Sequence, residues 1–575
     1  MTARACGPTT RISGAILFKW TIRAGTLAAA TGLLILGSAT VAAAASGPES
    51  LADLVRAGKR EAVLAAITSP AVDVNAREPD GSTALLWATY MVDYELVRAL
   101  LKDGAKANIT NNFGSSPLGE AVKLGDVDLV SMLLEAHADP NAPNQDGETA
   151  LMVASSIGSL KIAQLLISHG ANVNAVENFR DQTALMWAAA ENHPDIVDLL
   201  LRHGADVNRR AKSDDWPRQM TSEPRAQFRQ TGGLTALLYA TRSGCYRCAV
   251  ALVKAGADVN QPNPDGITPL INALDNRDFD IANFLLDKGA NPNTWDMSGR
   301  TPLYVAVDLN SYKGRGFGGP TGFAGYPGAT AAHPPSKATA MDLVNRLLGM
   351  GVDPSHELTR MRPNGNGRGR FEDYMMRGGT GPLMVATLSY DEVAIKALLA
   401  HGAEVDAPNV FQITPLMAAA NMIGSVRSGG GPPPIQGDIQ EHAIRTMDLL
   451  LGGGANINAR ILNSRTHTAR MVAYIQGRDH EGETALFAAS EAAWNRVVKY
   501  LLDHGADPSV RDASGKSALD YARAPRPPGA GAPAPSKTEP ADRAATIALL
   551  TALVPNARAG ADTATPGGTA SPTAP

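Results

Sequence analysis

The chain has 575 residues, enough on length alone for several ordinary domains, and a formal net charge of −4 from 52 basic and 56 acidic side chains. That balance excludes a uniformly basic nucleic-acid binder, and three cysteines exclude both a disulfide-dense scaffold and a four-cysteine zinc site. Glycine (56) and proline (38) are enriched while aromatics reach only 5%, so a folded body with interruptions is expected.

Arg4, Arg11, Lys19 and Arg23 stand in an N-terminal stretch without acids, and an uncharged run rich in Leu and Ala follows to Pro48, with Ala42 to Ala45 near its end. A basic start, an apolar middle and closing small residues predict a secretory signal over residues 1–45, cut near Ala44 or Ala45. The alternative is an uncleaved anchor, since the run is almost long enough to span a bilayer, and only then is a membrane a partner. Either way the remainder lies outside the cytoplasm, periplasmic or secreted in a bacterium. Cleavage removes four basic residues and no acid, leaving −8.

Residues 46–79 read as an N-terminal capping unit. Segments of the form Leu-Leu-x-x-Gly-Ala-Asp-x-Asn then place equivalent residues at Ala71, Gly104, His137, Gly170, Gly204, Gly256, Gly289, Gly351, Gly402, Gly454 and Gly505. Their spacings are 33, 33, 33, 34, 52, 33, 62, 51, 52 and 51. The second signature recurs in phase, as Thr83-Ala84-Leu85, Ser116-Pro117-Leu118, Thr183-Ala184-Leu185 or Thr414-Pro415-Leu416. A fixed period near 33 means one small helical unit copied about 11 times. Within it the Gly permits a turn, the Thr caps a first helix that tolerates Pro in its first turn, and paired leucines end a second helix.

This pattern resembles the ankyrin repeat from about Leu51 to Leu553, which implies an all-α solenoid of helix-turn-helix repeats that binds protein and performs no chemistry. One departure is systematic. Where that family has His after Thr-Pro-Leu, this chain has Leu86, Met152, Met186, Leu238, Ile271, Tyr304, Met384, Met417 and Phe487, apolar residues expected to fill the same space. Trp87, Trp187 and Tyr239 take a position the family fills with Leu and are expected in the core. By the same resemblance the ends of the early first helices, at Tyr90, Met91, Lys123, Leu124 and Ile157, face a partner.

The organisation expected is repeats 1–4 over 80–208, an insertion at 209–232, repeats 5–7 from 233–309, an insertion at 310–337 and the rest of repeat 7 at 338–355. An insertion at 356–379, repeats 8–9 at 380–459 with an insertion at 424–441, and an insertion at 460–480 follow. Repeats 10–11 with a C-terminal cap occupy 481–554, with the cap's last helix at Asp542 to Leu553, and an unstructured tail covers 555–575. By resemblance the insertions at 209–232, 356–379 and 460–480 fall in the finger loops between repeats. The other two fall between the helices of one repeat.

The five insertions together carry +10, which leaves the rest of the mature chain at −18. Basic loops on an acidic body can steer a partner, or can simply keep long loops soluble. Candidate anchors within them are Trp216, Phe228, Phe317, Phe323, Tyr326, Phe371, Tyr374 and Tyr474, with Arg362, Arg368, Arg370 and Arg470 placed to meet an acidic surface.

After signal cleavage only Cys245 and Cys248 remain, in Gly-Cys-Tyr-Arg-Cys at the start of a second helix. A small disulfide, free thiols and a redox role are the three readings. His137, His169, His203, His401 and His504 end second helices and suit carbonyl capping. No metal site, cofactor or catalytic motif is expected. The function expected is an extracytoplasmic interaction scaffold or accessory subunit, monomeric on its own, with protein partners and no nucleic acid. Alternatives are an enzyme with a site built from the long loops, or a secreted factor acting on a foreign cell.

Overall fold

A computed structural model describes residues 49–213, 232–311, 335–358, 379–421, 438–462, 480–524 and 539–553. The chain divides into two units, Met1–Glu49 and Ser50–Pro575, and every described helix belongs to the second. The expected signal, the tail and the middle of each insertion lie outside the described residues.

The described helices come in pairs. The N-terminal pair is α1 (Leu51–Arg56) and α2 (Arg60–Ile67), followed by α3 (Ala84–Tyr90) with α4 (Tyr94–Lys102) and α5 (Pro117–Leu124) with α6 (Val127–Glu135). Next are α7 (Ala150–Ile157) with α8 (Leu160–Ser168), α9 (Ala184–Ala190) with α10 (Pro194–Arg202) and α11 (Ala236–Ser243) with α12 (Tyr246–Lys254). Then come α13 (Pro269–Asp275) with α14 (Phe279–Asp287), α15 (Pro302–Ser311) with α16 (Ala340–Gly349) and α17 (Pro382–Leu388) with α18 (Glu392–Ala400). The array closes with α19 (Pro415–Ala419) and α20 (Ile439–Gly452), α21 (Ala485–Glu491) and α22 (Asn495–Asp503), and α23 (Ala518–Arg523) and α24 (Glu539–Leu553). Among the described residues extended pairing is limited to isolated bridges, so the fold is the all-α solenoid expected.

Most units start because a Thr or Ser satisfies an orphan helix donor: the hydroxyls of Thr83, Thr183 and Thr414 accept from the N–H three residues on, at Leu86, Met186 and Met417, whereas Gly381 and Thr484 make no such bond. Pro117, Pro269, Pro382 and Pro415 occupy the first turn, where a missing N–H costs nothing. The N-terminal pair lacks this start and uses Ser50 and Asp53 in a reciprocal capping box instead.

One alanine per unit, Ala88, Ala121, Ala154, Ala188, Ala240, Ala273 and onward to Ala522, is fully buried. With no bulk there, first helices of successive units approach closely, and at nearly every step they pack more tightly than the second helices do. The row of first helices is therefore the inner face of the array. The apolar residues replacing the family's His are all buried beside it, Leu86 and Phe487 included.

Units are also stitched at their turns. The Asn of the Gly-Ala-Asp-x-Asn segment donates from Nδ2 to the Gly carbonyl of the next unit and accepts from an N–H two residues beyond that Gly: Asn174 donates to Gly204 O at 3.0 Å and accepts from Asp206 N at 2.8 Å. Asn75, Asn141, Asn208, Asn260 and Asn458 do the same, and Asn108 does so with the His137 carbonyl in place of a Gly.

The tips of several finger turns are organised by an Asn or Asp that accepts from N–H groups two and four residues on, as Asn144 does from Asp146 and Glu148 and Asn263 from Asp265 and Ile267. The one step of 34 residues, from Gly170 to Gly204, has its turn one residue longer, and there the buried Glu177 takes over the role. Its carboxylate accepts from the N–H groups of Phe179, Arg180 and Gln182. The longer side chain spans the extra residue.

Three insertions leave through paired stems in finger loops. Ala211 N donates to Leu234 O, Leu358 N to Thr380 O and Ile461 N to Glu483 O, each closing the base of an excursion. Two boundaries differ from expectation. Helix α20 begins at Ile439, inside the expected 424–441 insertion, because Asp438 caps it by accepting from the N–H groups of Gln440 and Glu441. Helix α24 begins at Glu539 rather than Asp542, since Pro540 is tolerated in a first turn.

Candidate functional site

The inner face runs from finger turns at the N-terminal ends of the first helices to the tight helix-helix turns at their C-terminal ends. An eight-residue helix such as α5 is about 12 Å long, which sets the width of the floor between these two rims.

Trp87 and Trp187 pack against the core, as expected, though neither is fully enclosed by it. Both are half-buried, because each indole N–H turns toward a finger turn, Trp87 donating to Glu78 at 2.9 Å and Trp187 to Gln182 at 3.2 Å. Tyr239, in contrast, is buried as expected. The Arg56 guanidinium lies 5.7 Å from the Trp87 ring centroid and that of Arg242 lies 4.8 Å from Tyr239.

At the helix-turn rim the expected residues are brought into one row. Met91, Leu124 and Ile157 are equivalent in three successive units and expose 50%, 45% and 45% of their surface, and Tyr90 exposes 55% beside Trp87 in an edge-to-face contact of 5.9 Å. Lys123 is exposed, and its ammonium pairs with Glu120 at 3.0 Å. Beyond Ile157 the same position becomes polar, at Glu191, Ser243 and Asn276, so the apolar row is finite.

The turn after Met91 requires a left-handed residue. Gly125, Gly158 and Gly244 meet that need in three equivalent turns and Asn192, Arg277, Tyr390 and Ala493 in four others, while here Val92 does so at φ 56°. A β-branched residue in that region is strained by roughly 1–2 kcal/mol relative to its ordinary conformation. The first turn thus keeps exposed apolar side chains where glycine would be easier.

The opposite rim carries exposed aromatics that sequence reasoning missed. Phe113 and Phe179, on finger turns two units apart, expose 69% and 74%, and Trp295, also exposed, lies 5.5 Å from the His356 ring. The signal for Phe113 was a large apolar residue at the tip of the Asn-Phe-Gly turn, where the other units place Asp146 or Asp265.

Farther along, the inner face holds a buried ionic cluster. Arg300 bonds Asp275 through both outer nitrogens at 2.8 and 3.0 Å and Asp296 through Nε at 2.7 Å. Burial alone would lower the Arg300 pKa, but the two carboxylates outweigh it and hold it above the ordinary guanidinium value.

Cys245 and Cys248 form a disulfide at the start of α12, with Cα atoms 5.2 Å apart and both side chains buried. Of the helix-end histidines, His169, His401 and His504 place Nδ1 2.8 Å from the carbonyl four residues earlier, as capping requires. His203 ends α10 and His137 takes a left-handed position. Among the described residues no three ligating side chains converge as a metal site. The insertion residues Trp216, Phe228, Phe317, Phe323, Tyr326, Arg362, Arg368, Arg370, Phe371, Tyr374, Arg470 and Tyr474 lie outside the described residues.

A row of stacked helix pairs joined by finger turns is the architecture of a helical-repeat solenoid. Its repeats are ankyrin repeats: the ankyrin-repeat family model with three copies matches residues 42–144, 118–211 and 237–314, and the single-repeat model matches 481–513. Between 315 and 480, where neither model matches, α16 to α20 continue the same pairing, and the insertions have merely broken the period. The mitochondrial disaggregase of Bos taurus is 31% identical over 153 residues, which is 24% of this chain and 21% of that protein. The chain therefore spans about a fifth of that relative. Ankyrin repeats are in general protein-interaction modules without catalysis.

Proposed function

We propose that the protein is an extracytoplasmic interaction scaffold or accessory subunit that holds a folded protein partner on the inner face of its ankyrin repeats. The observation that carries this reading is the row of Met91, Leu124 and Ile157, exposed at equivalent positions of three successive units beside Tyr90. Apolar side chains aligned across neighbouring repeats form one continuous contact surface, whereas singly scattered ones would need no explanation. The residues of the basic insertions, Arg362, Arg368, Arg370 and Arg470 among them, add a salt-dependent attraction to an acidic region of the partner. The location rests on the basic and apolar N-terminal stretch ending in Ala42 to Ala45.

The test is affinity capture from a periplasmic or culture fraction with the full chain, beside a chain whose five insertions are cut to ordinary repeat length. A partner retained by the full chain supports the scaffold, and loss on shortening assigns contacts to the insertions. No specific protein retained by either chain would overturn the reading. Finding the protein in the cytoplasmic fraction alone would overturn the location.

A further inference from the structure

We infer that the groove of the first four ankyrin units takes a basic amphipathic helix of a partner protein, a statement that rests on the scaffold reading and names the chemistry of its ligand. Three observations converge on it. The first is size: between the turn rim and the finger rim the floor is about 12 Å wide, the diameter of an α-helix with its side chains. The second is periodicity. Neighbouring first helices of the array sit about 8–10 Å apart, a distance a partner helix covers in about six to seven residues, so apolar side chains at heptad spacing meet Met91, Leu124 and Ile157 in turn. Tyr90 and Trp87 widen the apolar contact at the first of these steps.

The third observation is charge. Asp146 and Asp181 on the finger turns and Glu191 at the end of the apolar row form no ion pair among the described residues. Glu191 closes the row, and Asp146 and Asp181 face it across the floor from the finger rim, where Arg180 lies over Phe179, while Lys123 beside the row is already engaged by Glu120. An apolar strip bordered by unpaired acids selects a helix with a Leu-like face edged by Lys or Arg and rejects one edged by Glu, because like charges would face each other across the interface. Phe113 on the finger rim offers a ring face to the same cationic side chains, whereas the Phe179 ring already has the Arg180 guanidinium 5.5 Å from its centroid.

The probe is a fluorescein-labelled peptide of about 21 residues, with Leu at the apolar positions of three heptads and Lys elsewhere. Its counterpart carries Glu in place of Lys. Fluorescence anisotropy is read on the full chain, on the triple variant Met91→Ser, Leu124→Ser, Ile157→Ser, and on Glu191→Gln. The substituted side chains are exposed, and circular dichroism with thermal unfolding checks that each variant is folded.

Saturable binding of the Lys peptide is expected, weakened about tenfold or more by the triple substitution and severalfold by Glu191→Gln, with no saturable binding of the Glu peptide. Equal affinity for the triple variant, equal binding of both peptides, or no saturation with the Lys peptide would overturn the proposal. Phosphatidylcholine vesicles competing for the strip would overturn it too, in favour of a lipid surface. The scaffold reading fails separately: a captured partner that the triple variant retains fully sinks the helix proposal alone, whereas capture of no partner at all sinks the scaffold.

Discussion

The buried cluster of Arg300, Asp275 and Asp296 makes a quantitative prediction about where the array is weakest to perturbation. Replacing Arg300 with Met removes the cation that faces both carboxylates while leaving apolar bulk in its place. Asp296 keeps the N–H groups of Ser298 and Arg300, so the uncompensated charge falls mainly on Asp275, whose side chain is only 10% exposed. Breaking a buried pair in this way costs about 3–5 kcal/mol, most of it the burden of the stranded charge. Adding Asp275→Leu removes that charge, so the double variant is expected to regain most of the loss.

Because a repeat array opens locally, the suitable assay is hydrogen exchange read by mass spectrometry on peptides covering α13 to α15. Opening there should become more frequent by about two to three orders of magnitude in Arg300→Met, with little change in α3 to α6. A loss under about 1 kcal/mol, or a double variant less stable than the single one, would refute the account of the cluster as a tightly coupled buried network.

Four further outcomes follow from the packing. Asn174→Ala removes both hydrogen bonds to the following unit and should cost about 1–2 kcal/mol, seen as faster exchange at the Gly204 turn; no change there would show the clamp to be idle. Ala188→Leu inserts bulk where first helices meet and should lower urea stability by about 1–3 kcal/mol or more, while Ala190→Leu on the half-exposed face should change it little. Cys245→Ser with Cys248→Ala should cost about 2 kcal/mol for so short a loop, and the parent chain unfolded without reductant should leave this pair unalkylated. The Tyr500 phenol, pushed up to about 12 by burial and the Asp448 carboxylate, stays neutral in the fold while the unfolded phenol ionises near 10. Its contribution is therefore intact below pH 10 and is lost as the pH rises toward 12, a dependence that denaturant titrations should find missing in Tyr500→Phe.

The fold was legible because its determinants are local and repeated. The Thr or Ser cap, the buried Ala and the bridging Asn recur at related spacings, so the units could be phased from sequence. Boundaries that depend on a single cap were less legible. Asp438 starts α20 inside an expected loop because a carboxylate able to accept from two N–H groups outweighs the Gly- and Pro-rich sequence before it. The 34-residue step was visible as a number, but its cause, Glu177 reaching across one extra residue, needed coordinates.

The groove shows the same division between periodic and individual information. Tyr90, Met91, Leu124 and Ile157 could be placed from the repeat phase alone, since position in the unit dictates which face a side chain occupies. That Trp87 and Trp187 pack against the core was legible too, but their partial exposure was not, because it depends on the acceptors Glu78 and Gln182 that their indole N–H groups reach on finger turns. The strained Val92 carries the argument further. Equivalent turns use Gly at Gly125, Gly158 and Gly244 and unbranched or polar residues at Asn192, Arg277, Tyr390 and Ala493, so Val92 is the one β-branched residue at this left-handed position among the described turns. If the apolar rim serves binding, Val92→Gly should stabilise the free protein and weaken the Leu/Lys peptide together. A variant stabilised with unchanged peptide affinity would confine the binding surface to the row of Met91, Leu124 and Ile157.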